Sequence, residues 1–252
     1  MDHAGVASYD GVSSADLAIR LRVPTCVVRS RVSSTLDVVH ELAAAGAPAG
    51  TLVVADQQVA GRGRMGRRWH SPARQGVWLG YLLRDAAPAR AQLISVRVGL
   101  AVVRALGTLG AVTSLKWPND IVWEGRKLGG ILCEARWQGV RIRWIGVGIG
   151  INVHGPLPPE LLDRAATLDE LLDTVDRLGV LEVVLPALQG LPDAPGLSDD
   201  ERAQFAACDW LKGRVLRAPV AGTAQGVAAD GALLVETGAG TERVVGGSIV
   251  TV

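Results

Sequence analysis

The stretch GRGRMGRRWHSP, Gly61 to Pro72, places four arginines and three glycines in its first ten residues, with no acid among them. Clustered guanidiniums repel one another, and glycine gives up backbone entropy on ordering. A loop of this composition is poor scaffold and suits an anion. Taken alone, it supports an RGG-like segment that stacks on single-stranded nucleic acid. It equally supports a phosphate-binding loop, with backbone N–H groups and arginines facing oxygens. A merely solvated basic loop is the bland alternative.

Two further clusters carry polar chemistry. KWPND, Lys116 to Asp120, sets a cation, an aromatic, an amide and a carboxylate around a turn-forming proline. By itself Pro-Asn-Asp is a good turn. Lys127 follows in RKLGGILCE, just before Gly129 and Gly130, where backbone or ligand can approach closely. A lysine there is ordinarily a surface residue. In GVGIGINV, Gly146 to Val153, alternating glycines leave room against a sheet, either for a ligand or for tight packing.

These clusters need elements to hold them. Residues 25–32 are rich in β-branched side chains and predict a strand. A helix follows, capped by Ser33 or Ser34, with Leu36, Val39 and Leu42 on one face and Gly46 at its end. TLVVADQQ (51–58) and VWLGYLLR (77–84) predict strands on either side of the arginine loop. That makes the loop a strand-to-strand excursion of roughly 15–18 residues, long enough to suggest function. Pro88 to Leu109 has helical spacing, from Leu93 through Val96, Leu100 and Val103 to Leu106. Strands are expected at 114–117, 121–123, 128–137 and 140–152, the last two joined by a Gln138-Gly139 turn. Trp123, Trp137 and Trp144 are expected to pack on that sheet.

Pro158 to Leu188 reads as helix with a break at Gly179, and LPDAPGLSDD (191–200) as a hinge or surface loop. A short helix is expected near 203–208. Beyond it, short β-rich runs alternate with glycine turns, which fits a small barrel leaning on the main domain. The division expected is an N-terminal extension (1–24), a main domain (25–208) and a C-terminal domain (209–252), with an α/β (α+β) fold.

Composition narrows the functions. Lys plus Arg total 26 against 25 Asp plus Glu, a net charge of +1, so a protein coating long nucleic acid is disfavoured. Cys26, Cys133 and Cys208 are far apart and form no metal-ligand spacing, so reduced thiols are expected. There is no signal-peptide pattern at the start and no uncharged apolar run near the ~18 residues of a membrane span. A cytoplasmic protein is the expectation.

Taken in order, SSTLD, DQQVAGRGRMGRRW, KWPND, RKLGGILCE and GVGIGINV resemble the biotin protein ligases, and the tail GALLVET…VVGGSI resembles their small SH3-like C-terminal barrel. The resemblance implies a class II synthetase-like catalytic domain with a mixed sheet flanked by helices. Only about two dozen residues precede the first expected strand, too few for the winged helix–turn–helix some members carry. The short, monofunctional type, without DNA binding, is therefore expected.

The resemblance implies activation of biotin by ATP with Mg2+ to biotinyl-5′-AMP, then transfer to a lysine of a biotin carboxyl carrier protein domain of an acyl-CoA carboxylase. A carboxylate must then meet an α-phosphate, and two unit charges ~4 Å apart repel by about 4 kcal/mol at an effective dielectric of 20. Cations between them remove that repulsion. Lys127 and Arg64 are the implied catalytic residues. Ser34, Thr35, Gln58, Arg62, Gly63, Gly130 and Gly148 are implied around biotin, with Arg64 and Lys127. Arg62, Arg67, Trp69, Asn119 and Asn152 are implied around ATP, and Asp120 near magnesium.

Leu36 stands where the family commonly has asparagine, and Met65 occupies an arginine-rich position. The Gly/Arg loop, Gly61 to Arg74, is expected to be disordered until biotinyl-AMP supplies contacts. Rival readings are a lipoate-type ligase of related fold, an RNA-binding module, and an inactive biotin-binding regulator. Members of the family occur as monomers and as dimers, which leaves a homodimer open.

Overall fold

A computed structural model describes residues 8–84 and 87–252; residues 1–7 of the expected N-terminal extension lie outside the described residues. The chain opens with a small hairpin, β1 (Ser8–Tyr9) and β2 (Val12–Ser13), and a helix, α1 (Ser14–Arg20), none of which the sequence reading anticipated. Burial explains them, because Tyr9 and Leu17 are fully enclosed by the main core.

Seven strands form the main sheet: β3 (Cys26–Val32), β4 (Leu52–Gln58), β5 (Gly76–Arg84), β6 (Ser114–Lys116), β7 (Asp120–Trp123), β8 (Arg126–Gln138) and β9 (Arg141–Asn152). Their order is β3-β4-β5-β9-β8-β7-β6. Only β3 and β4 pair in parallel, and the helix α2 (Thr35–Ala44) supplies the crossover that such a pair requires. Ser34 caps α2 by accepting the Leu36 N–H, and Gly46, at φ 92°, follows its end. The sheet is covered on both faces. On one, Val39 and Ala43 of α2 pack with Val53, Leu82 and Trp144. On the other lies the main core, including Leu93, Val96, Leu100, Val103 and Leu106 of α3 (Pro88–Thr108).

Two further helices, α4 (Arg177–Gln189) and α5 (Asp199–Cys208), precede a five-stranded antiparallel sheet. Its strands are β10 (Val215–Ala218), β11 (Gly222–Val227), β12 (Leu233–Thr237), β13 (Gly240–Val244) and β14 (Val250–Thr251). The buried Trp117 indole ties it to the KWPND turn by donating to the Gly231 carbonyl at 2.9 Å.

Several expectations require correction. Residues 158–176 are not a continuous helix: only the short turns Pro159–Leu161 and Leu168–Glu170 are helical. The backbone between them pairs with β8 instead, with Lys127 N donating to Arg164 O and Ala166 N to Lys127 O. Tertiary pairing overrides helical spacing there. Gly179 breaks nothing; it sits in the first turn of α4, its N–H bonded to the capping Asp176. The hairpin turn is Gly139-Val140, since Gln138 still pairs with Arg141. Trp144 is buried as expected and Trp123 half-buried, but Trp137 is 54% exposed at the hairpin tip. Residues 191–198 are not a free hinge, because Arg97 of α3 binds the carbonyls of Pro192, Ala194 and Gly196. Asp199 and Asp200 already belong to α5.

Candidate functional site

A cavity of about 480 Å³ opens at one end of the main sheet, within the roughly 300–1,000 Å³ usual for small-molecule sites. Every residue that the resemblance implies around biotin, ATP or magnesium lines it, from Ser34 at the start of α2 to Asn152 at the end of β9. Residues from all five ordered motifs converge there, so the motifs are one constellation in space.

The α2 side is rigid. Ser34 and Thr35 are buried, and Gln58 accepts from both the Thr35 N–H (2.9 Å) and its hydroxyl (3.2 Å). The Gln58 amide then donates to Ser71 Oγ at 2.9 Å, which joins the helix start to the far end of the arginine loop.

The KWPND side is rigid as well. Buried Asn119 donates its side-chain amide to Ile131 O at 2.9 Å, and its backbone carbonyl accepts from Ile131 N. That fixes its Oδ1 toward the loop, where it accepts from Arg64 Nη1 at 3.0 Å. Asp120 pairs with the Lys127 ammonium at 2.7 Å across the β7–β8 ladder. Lys127 is gripped through its backbone by residues 164–166, and Asn152 braces the same segment by donating to Ala166 O at 3.0 Å. Its side chain stays about one-third exposed, and the ammonium stands 5.1 Å over the Trp69 ring.

The glycines do something the sequence did not disclose. Gly130 and Gly150 face each other in register, and Trp69 lies on them: a Cβ on Gly150 would fall 2.3 Å from the indole nitrogen. A Cβ on Gly148 would fall 2.9 Å from Leu36 Cδ1, and one on Gly146 would crowd Leu36 and His40. Of the two uses that alternating glycines allow, close packing is the one seen here, since the chain's own side chains take much of that space. Leu36, in place of asparagine, is 3% exposed and packs over Gly148. The Trp69 indole N–H is buried with no protein acceptor, an uncommon state for such a group.

The arginine loop spans residues 59–75 and contains one short turn at Arg64–Gly66. Met65 there adopts φ 57°, a left-handed conformation uncommon for its type. The loop lacks acids of its own, yet Arg62 is neutralised: Nη1 binds Asp37 at 2.6 Å and Nε faces Glu134 at 3.4 Å. Arg62 is thus engaged by two of the protein's own acids before any substrate anion arrives. Gly63 N–H is taken by Arg67 O at 2.7 Å.

Other contributors carried no assigned role in the sequence. Lys116 lines the cavity with its ammonium 4.9 Å over the Trp210 ring; burial, more than the neighbouring charges, holds its pKa below the usual lysine value. Residues 247–250 of the C-terminal segment form one wall, where Ser248 Oγ accepts from Arg67 Nη2 at 2.8 Å and touches Met65 Sδ at 3.3 Å. KWPND was visible as a motif, and residues 247–249 only as part of the C-terminal tail motif, with no sign that they wall the cavity. Asp120 is the one carboxylate among the residues lining the cavity, and no group of three or more metal-ligating side chains occurs among the described residues. Magnesium binds with one or two carboxylates plus substrate phosphates and retained waters, so Asp120 suits an ion that arrives with a nucleotide.

Comparison with known proteins agrees with this architecture. Residues 28–152 match the biotin/lipoate A/B protein ligase family, and residues 214–251 match the biotin protein ligase C terminal domain. The bifunctional ligase/repressor BirA of Bacillus subtilis is 36% identical over 228 residues, covering 84% of this chain and 70% of that protein. A biotin–[acetyl-CoA-carboxylase] ligase of Paracoccus denitrificans is 33% identical over 208 residues, covering 75% and 85%. The structure of the Aquifex aeolicus biotin protein ligase with biotin and ATP superposes with a TM-score of 0.73 at 28% identity, covering 90% of this chain and 98% of that one. The chain belongs to the biotin protein ligase family.

Proposed function

We propose that the chain joins biotin to ATP as biotinyl-5′-AMP and then passes the biotinyl group to a lysine of a biotin carboxyl carrier protein domain. The observation that carries this reading is the convergence of Lys127 and Arg64 on one cavity with the polar start of α2. In the first step a biotin carboxylate oxygen attacks the α-phosphorus of ATP, the bond to the β-phosphate oxygen breaks, and pyrophosphate leaves. In the second, a carrier lysine amine attacks the mixed-anhydride carbonyl and AMP departs.

Ser34, Thr35 and Gln58 sit where a ureido ring, with both donors and acceptors, can be oriented. Gly63 belongs to the loop covering the biotin tail, and Gly130 and Gly148 to the floor beneath it. Lys127 has one ion pair and three N–H donors, so its ammonium can turn from Asp120 to bridge carboxylate and α-phosphate. Arg64 supplies the second charge once it leaves Asn119, and the freed Asn119 Oδ1 and Asn152 face the nucleotide. Arg67 is placed toward the phosphates and Trp69 toward the adenine. A magnesium ion, when bound with ATP, supplies further neutralisation of phosphate charge, and Asp120 is the residue that would hold it.

Two of the rivals find less support. A lipoate-type ligase leaves the match of residues 214–251 without a reason, and an RNA-binding module leaves the cavity without one. Residues 25–208 act as the catalytic unit and residues 209–252 as its C-terminal partner. Free Cys26, Cys133 and Cys208 support a reducing, cytoplasmic setting; burial pushes the first two up to about 12 and the third to about 11. Among the described residues, no helix is long and apolar enough to cross a membrane.

Exchange of labelled pyrophosphate into ATP tests the proposal. It should depend on biotin, and Lys127→Ala should reduce it by roughly 100- to 1,000-fold, as for loss of one preorganised donor at a developing charge. Exchange driven by lipoate alone, or none with either acid, overturns it.

A further inference from the structure

Six side chains outside the reacting centre form a continuous polar chain from Ser33 and the arginine loop to β9. Ser33 Oγ donates to Asp37 Oδ2 at 2.6 Å, and Asp37 Oδ1 accepts from Arg62 Nη1 at 2.6 Å. Arg62 Nε faces Glu134 Oε1 at 3.4 Å, and the other Glu134 oxygen lies 2.8 Å from His40 Nε2. Trp144 closes the chain, its indole N–H donating to His40 Nδ1 at 2.9 Å. An indole can only donate, so Nδ1 is the acceptor and Nε2 carries the proton that His40 gives to Glu134. Both Glu134 oxygens are thus engaged, with Arg136 3.5 Å away as a further cation.

Three of the elements that the polar chain joins must keep a fixed relation. Asp37 and His40 belong to α2, whose first residues, Ser34 and Thr35, line the cavity. Glu134 belongs to β8, and Arg62 to the loop that would cover a bound acid. A guanidinium held through two nitrogens by two acids from different elements is a geometric clamp, whereas a lone ammonium in its place would offer only a point charge. Asp37 reports the grip: burial would raise its pKa, yet the Ser33 and Arg62 hydrogen bonds bring it below the usual aspartate value.

We infer that Glu134 and Asp37 are positioning residues for biotin, acting through Arg62, which staples the arginine loop to α2 and β8 and brings no charge to the reacting atoms. This rests on the proposed biotin ligase activity. Its consequence is a split between binding and chemistry: the staple sets how tightly the loop closes on biotin, and Lys127 and Arg64 set the turnover.

Pyrophosphate exchange with Glu134→Gln, Asp37→Asn, Arg62→Ala and Arg62→Lys tests the inference. Glu134→Gln should raise the KM for biotin about 5- to 10-fold, a charged hydrogen bond discounted for partial exposure, with kcat within about twofold. Asp37→Asn should move KM the same way, and it decides the matter if Glu134→Gln lowers the melting temperature too far for assay. Arg62→Lys should be as impaired as Arg62→Ala, and adding Arg62→Ala to Glu134→Gln should cost little more. Wild-type KM in both acid variants, or full rescue by Arg62→Lys, overturns the staple while leaving the ligase reading intact. No biotin-dependent exchange in the wild type overturns the ligase reading itself.

Discussion

Arg97 and Lys127 are both cations facing acids across the main domain, and they differ in how completely their donors are used. Arg97 is 2% exposed and makes five hydrogen bonds, two to Glu201 and three to the carbonyls of Pro192, Ala194 and Gly196. Nothing is left for a ligand. Lys127 is about one-third exposed, and its ammonium meets one carboxylate and the face of one ring. The first arrangement joins α3 to the chain around α5; the second holds charge ready for a newcomer. Saturation of donors, more than charge or sequence spacing, separates a structural cation from a working one.

The contrast can be broken from either side. Arg97→Ala should destabilise the fold by about 3–5 kcal/mol, because Glu201 and three carbonyls lose their partner in a buried site. Lys127→Ala should change stability by less than about 1 kcal/mol, since its pair is partly exposed, while exchange activity collapses. Denaturant melts of the two variants check this, and equal destabilisation would erase the distinction. Next in size, Gly150→Ala places a methyl group against the Trp69 indole and should raise the KM for ATP by about 10-fold with little effect on biotin binding. An unchanged KM would mean that the ring is free to shift.

A pH titration sharpens the structural half. Burial would raise the Glu201 pKa, but hydrogen bonds from Arg97 and the Ser198 backbone lower it below its ordinary 4.5. Its stabilising contribution is therefore complete above that value and is lost as pH falls through the folded-state pKa. Acid melts of Glu201→Gln should show a smaller loss of stability on descending from pH 5 than wild type; parallel curves would assign the acid sensitivity elsewhere. The smallest effect concerns the arginine loop. Amide exchange across Gly61–Arg74 should be fast in the free protein and slow with biotin and ATP, and equal rates in both states would remove the loop's ordering role.

Sequence alone carried much of the site, for a physical reason. Glycines beside arginines, and a lysine beside Gly129-Gly130, are compositions that a stable core would avoid, so they announce themselves locally. Strands such as 51–58 and 77–84 were legible through β-branched and apolar runs, and α2 through Ser34 and Gly46. What stayed hidden depends on register and on distant pairing. Asp37 and Glu134 reach Arg62 only because α2, β8 and the loop meet in space. Residues 158–176 carry helical spacing, yet the β8 edge claims their backbone, and that capture also fixes Lys127. Leu36 raised doubt as a missing amide; its packing against Gly148 became visible only with the sheet in place.

Trp69 has one last consequence. Its indole rests on two glycines, beneath an ammonium, with its N–H facing no acceptor. A molecule settling on that floor must shift the ring or stack upon it, and either event alters the polarity around a natural fluorophore. Occupancy of the site should therefore be readable as light from the protein itself, without a label.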